Sequence, residues 1–180
     1  SDNYYDSSSS DEENPTPMGA AKQSCHYAVV ALLEEHLESK FPLHAAARTG
    51  DVDAMTQLLD NGAAVDRADK DGRTPLYIAC ENGHVDAARL LLDKGVEVDQ
   101  AVSERWKKKG LTPLFVACEK GHVDAARLLL ERGAEVDQVI DTRYSGKCTP
   151  LDVAKSGGHD AVVALLEEHL KSKFPLHSAA

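Results

Sequence analysis

Only 5% of the 180 residues are aromatic, with a single tryptophan, and no apolar run approaches the roughly 18 residues that a membrane-spanning helix requires. No membrane partner is expected on that ground. The chain opens without a basic-then-apolar leader, so the expected setting is intracellular, cytoplasmic or nuclear. Its four cysteines (Cys25, Cys80, Cys118, Cys148) are scattered and form no C-x-x-C pair, which speaks against a zinc knuckle or redox dithiol; a disulfide framework would need a denser, secreted chain. There is no G-x-x-x-x-G-K-[ST], no nucleophile elbow and no H-E-x-x-H, hence no cofactor and no enzymatic activity are expected. Positive charge is scarce as well. A formal net charge of -10 disfavours nucleic acid, whose binding rests on clustered Lys and Arg. About half of the excess lies in residues 1–15, where Asp2, Asp6, Asp11, Glu12 and Glu13 meet no basic residue.

What the chain does have is self-similarity. "TPLYIACENGHVDAARLLLDKGVEVDQ" from Thr74 and "TPLFVACEKGHVDAARLLLERGAEVDQ" from Thr112 are two copies of one unit. An earlier copy starts at Phe41, 33 residues before Thr74, and a later one at Thr149. A fifth, from Thr16, aligns with the Thr149 copy, and the match continues without a gap from "FPLHAAA" at Phe41 onto "FPLHSAA" at Phe174, an offset of 133 residues. The chain therefore reads as one turn of a larger four-repeat period plus the start of the next, a piece of a longer array.

Local chemistry supports the same unit. Thr74 is an N-cap whose oxygen can accept an orphan N–H, and Pro75 at the first helical position sacrifices no hydrogen bond. A short, mostly apolar helix follows, turned at Asn82-Gly83. Val85, Ala88, Leu91 and Leu92 then recur at helical spacing, and Gly95 ends the second helix. Such a pair cannot bury its own faces and gains stability by stacking on neighbours.

The T-P-L, A-C/A-x-x-G-H, L-L-L and G-A/V-x-V-D elements recur in register from about residue 16 to 180, and the chain thereby resembles the ankyrin-repeat family. The resemblance implies an all-α repeat solenoid of stacked helix-turn-helix units with β-hairpin finger loops. Residues 1–15 form an acidic, Ser-rich tail or linker whose composition predicts disorder. The repeats fall at about 16–40, 41–73, 74–111, 112–148 and 149–173, with the start of another at 174–180.

Two departures from the family pattern stand out. The family's T-P-L-H pairs its His with its Thr, but here Thr74 goes with Tyr77, Thr112 with Phe115, Thr149 with Asp152 and Phe41 with His44. Asp152 is expected to close a capping-box-like pair, and the aromatic replacements to substitute packing for polar ties. Secondly, the fingers after Val98 and Val136 are longer by five and four residues than the one between Val65 and Thr74, since the repeat lengths are 38 and 37 rather than 33. After Leu37 and Leu170 the finger is missing, and the helix is expected to run through Ser-Lys to Phe-Pro-Leu.

Eight histidines invite a metal hypothesis, yet His26, His84, His122 and His159 share one repeat position, His36 and His169 another, His44 and His177 a third. A solenoid spaces equivalent residues too widely for them to converge on one ion, so no metal site is expected. The enlarged fingers are more suggestive. "AVSERWKKKG" carries Arg105, Trp106 and Lys107, and "VIDTRYSGK" carries Arg143 and Tyr144: a basic, aromatic patch on an acidic body. Trp, Tyr and Arg dominate binding hot spots, although loop aromatics also pack their own loops.

By resemblance, further partner contacts lie at finger tips and at the exposed end of each first helix, which here hold Lys70, Asp71, Arg73, Glu81, Asn82, Glu119 and Lys120. The expected partner is a protein or peptide, acidic or amphipathic, with self-association through uncapped repeat ends as a further possibility. Ser8, Ser9 and Ser10 each have an acid three residues on, a pattern that suits acidophilic kinases; the plainer role of the tail is a solvating linker. Alternatives to an interaction scaffold are a regulatory or targeting module of a larger enzyme, such as a ubiquitin-ligase adaptor or kinase, and a structural spacer.

Overall fold

Each repeat begins where a threonine or phenylalanine precedes a proline. In the computed structural model, which describes residues 40–102, 110–142 and 146–173, this places α1 at Pro42–Thr49, α3 at Pro75–Glu81, α5 at Pro113–Lys120 and α7 at Pro150–Ser156. The paired second helices are α2 at Val52–Asp60, α4 at Val85–Asp93, α6 at Val123–Glu131 and α8 at Asp160–Lys173. All but Lys40 belong to a unit spanning Phe41–Ala180. Among the described residues the remaining regular structure is one antiparallel hairpin, β1 Ile140–Thr142 with β2 Gly146–Cys148, in the register Ile140 to Cys148 and Thr142 to Gly146.

The first helices stack in one row, α1 on α3 on α5 on α7, and the second helices in another, α2 on α4 on α6 on α8. Position in the row decides burial. Every residue of α3 from Pro75 to Cys80 and of α5 from Pro113 to Cys118 is buried, because each of these helices is flanked by a neighbour on both sides and by its own partner. The second helices bury one stripe: Ala87, Ala88 and Leu91 in α4, and Ala125, Ala126, Leu128, Leu129 and Leu130 in α6. Val85 and Leu92, expected in that stripe, are only half-buried, whereas Ala87, not expected there, is fully buried.

The expected caps form. Thr74 and Thr112 accept from the N–H of Tyr77 and Phe115 at 3.2 and 3.3 Å, so losing the signature histidine leaves the cap intact. Tyr77 and Phe115, each 2% exposed, substitute packing for a polar tie. Asp152 closes a full capping box with Thr149: its carboxylate accepts the Thr149 N–H at 2.9 Å, and Thr149 Oγ1 accepts the Asp152 N–H at 3.2 Å. As expected, α8 runs through Ser172 to Lys173, 14 residues against nine each for α2, α4 and α6, while the equivalent stretch after Leu37 and the residues after Lys173 lie outside the described residues.

Candidate interaction surface

A polar spine does exist, built from a different histidine than the family signature suggests. His84, His122 and His159 precede the second helices, and each ring reaches the preceding repeat: Nε2 lies 2.9 Å from the Arg48 carbonyl, 3.1 Å from that of Glu81 and 2.9 Å from that of Glu119. A carbonyl only accepts, so Nε2 carries the hydrogen and donates. The ring lies over a glycine of the preceding repeat. A Cβ placed on Gly50, Gly83 or Gly121 would stand 2.6, 2.7 or 2.5 Å from the ring of His84, His122 or His159. The Gly-His dipeptide thus serves two interfaces, glycine making room for one neighbour and histidine reaching into the other.

This spine fixes the exposed ends of the first helices, where Glu81, Asn82, Glu119 and Lys120 stand. Asn82 is exposed but its Nδ2 turns back to donate to the Ile78 carbonyl at 2.8 Å. Glu119 lies 3.9 Å from Lys120, and its Oε2 is buried without a hydrogen-bond partner. Between these ends and the first finger sits Tyr77, whose phenol is pushed up by burial, with Glu81 and Glu119 adding to the effect.

At the tip of the first finger the hub is Asp69, which is not among the contacts expected from the sequence. Its Oδ1 accepts from the N–H of Asp71 at 2.8 Å and of Arg73 at 2.9 Å, and its Oδ2 from Arg73 Nε at 3.1 Å. The Arg73 guanidinium also donates to Asp71 at 2.9 Å and lies 3.9 Å from Glu81. Burial alone would lower the Arg73 pKa; Asp69 and Asp71 outweigh it, and the net shift is upward. The legible signal was Asp-x-Asp-Gly-x, an Asx turn whose first carboxylate bonds its own backbone two residues on. Behind the tip, His44 Nε2 donates to the Arg73 carbonyl at 3.1 Å, and burial holds the His44 imidazole below its ordinary pKa.

Lys70, Asp71, Arg73 and Glu81 are therefore brought together, with Lys70 exposed, while Glu119 and Lys120 stand one repeat along. The longer fingers share a closed base: Val102 N–H donates to the Leu111 carbonyl at 2.9 Å in one, and β1 and β2 pair in the other. Arg105, Trp106, Lys107, Arg143 and Tyr144, together with Ser8, Ser9 and Ser10, lie outside the described residues. Among the described residues no group of His, Cys, Asp or Glu is arranged to hold a metal, and no helix is long and apolar enough to cross a membrane. Burial pushes the Cys80 and Cys118 thiols up to about 12, which makes them packing residues rather than nucleophiles.

Paired helices stacked in two rows, with a hairpin at one of the junctions among the described residues, define a helix-pair repeat solenoid. The family model for ankyrin repeats (3 copies) matches residues 17–102 and 101–177, and the chain belongs to the ankyrin-repeat family. Ankyrin repeats as a class are protein–protein interaction modules and typically non-catalytic. No curated protein matches the chain.

Proposed function

We propose that the chain is a non-catalytic interaction scaffold that holds an acidic or amphipathic protein segment across its fingers. Trp106 and Tyr144 serve as anchors, with Arg105, Lys107 and Arg143 as charged contacts. The ends of the first helices, with Glu81, Asn82, Glu119 and Lys120, form the floor beside them. The observation that supports this reading most is the first finger: Asp69 ties its backbone and Arg73 together, so Lys70 and Asp71 are presented on a frame already ordered before any partner arrives. Preordering lowers the entropy lost on binding, which is why rigid loops make good recognition surfaces.

The enlarged fingers carry the hot-spot residue types on bases closed by the same kind of backbone pairing. Changing Trp106 and Tyr144 together to Ala is expected to weaken capture of the protein partner about 30-fold or more while leaving the helical circular dichroism melt in place. Unchanged affinity with an intact melt rejects the finger assignment.

A further inference from the structure

The second helices are joined at their C-terminal ends by ion pairs that cross from one repeat to the next. Lys94 Nζ lies 3.5 Å from Asp60, and the Arg132 guanidinium lies 2.8 Å from Asp93. The geometry is positional. Asp60, Asp93 and Glu131 each close a second helix, and the cation is the capping residue of the helix that follows. Carried one step further, Glu131 calls for a cation at the place equivalent to Lys94 and Arg132. In "LLLDKG", "LLLERG" and "LLEEHL" that place falls to His169.

At this step the helices are not bridged in the same way. Arg127 and Glu131 of α6 and Glu168 and His169 of α8 line an open groove of about 330 Å³ over Leu130 and Leu165. A neutral imidazole brings no charge to Glu131. We infer that the α6–α8 step is proton-dependent: uptake of a proton by His169 supplies the missing cation, pairs it with Glu131 and draws the groove closed. Histidine is the side chain whose charge ordinarily changes between pH 5 and 8.

The charged groups that line the groove with His169 are Glu131 and Arg127 of α6 and Glu168 of its own helix. On the α7 side Lys155 is paired with Glu167 at 3.2 Å. Arg127 does not forbid the pair, since Arg89 holds the equivalent place in α4 and the α4–α6 step still carries Arg132 on Asp93 at 2.8 Å.

A double-mutant cycle on the 180-residue chain tests the inference, with His169→Gln, Glu131→Gln and the pair followed by chemical denaturation at pH 5.5 and pH 8. The cycle cancels the contributions of the other histidines. Expected is a coupling of about two- to fivefold in the unfolding equilibrium constant at pH 5.5 and none at pH 8, the range of a partly exposed ion pair. A parallel cycle with Arg at 169, from His169→Arg, carries a permanent charge and is expected to show coupling at both pH values. Absence of coupling at pH 5.5 in the histidine chain, or coupling of equal size at both pH values, overturns the inference.

Discussion

Gly83, Gly121 and Gly95 have nearly the same backbone, with φ of 74°, 77° and 85°, yet very different surroundings. A Cβ on Gly95 would meet nothing within 4 Å, whereas on Gly83 or Gly121 it would strike the histidine of the next repeat. Gly95→Ala is expected to cost about 1 kcal/mol through its left-handed backbone alone. Gly121→Ala is expected to cost about 2–3 kcal/mol, since the His159 bond to Glu119 is lost as well. Urea denaturation of the two variants measures the gap, and equal losses would refute the interlock. His44 provides a pH signature. Its imidazole pKa is lowered by burial, so the folded chain binds the proton less readily than the unfolded one. The stability it contributes is complete above the ordinary histidine value of about 6.5 and is lost as pH falls through its folded value. His44→Gln is expected to flatten the decline in stability between pH 7 and 5. At this scale the sequence displayed the Gly-His repeat but not its meaning, because the two residues serve different neighbours and the contact spans 36 to 41 positions.

The helices were more legible than the contacts between them, since caps and stops are local. Thr-Pro starts and the glycines after each helix are read from a few adjacent residues, and α3, α5 and α7 begin where such reading puts them. The capping box at α7 was equally local. The carboxyl of Asp152 is held below its ordinary pKa by the Thr149 N–H and hydroxyl it accepts from. Its contribution is therefore present above about pH 4 and lost as pH falls through the folded value. Asp152→Ala is expected to lower stability by about 1 kcal/mol at pH 7, and by less at pH 3, in denaturation curves recorded at both. The finger tip was half legible. Lys70, Asp71 and Arg73 were expected at a finger tip, but the role of Asp69 depended on where Arg73 and Glu81 ended up, and Glu81 is 12 residues away. Finger lengths were plain from repeat spacing, while the bearing of Trp106 and Tyr144 was not, because a lengthened loop obeys no period.

Across the whole stack, coupling is between neighbours, so stability is graded along it. Burial differs along both rows of described helices. Every residue of α5 from Pro113 to Cys118 is buried, whereas α8 buries only Val162 and Leu166. Native-state hydrogen exchange is expected to find the slowest amides in α3, α4, α5 and α6 and faster ones in α8; uniform protection would mean that the repeats unfold as a single cooperative block.

The uninterrupted course of α8 has a metric consequence. At 1.5 Å per residue α8 is about 21 Å long, against about 13–14 Å for the nine-residue α2, α4 and α6, so one member of the second-helix row outreaches its neighbours by about 7 Å.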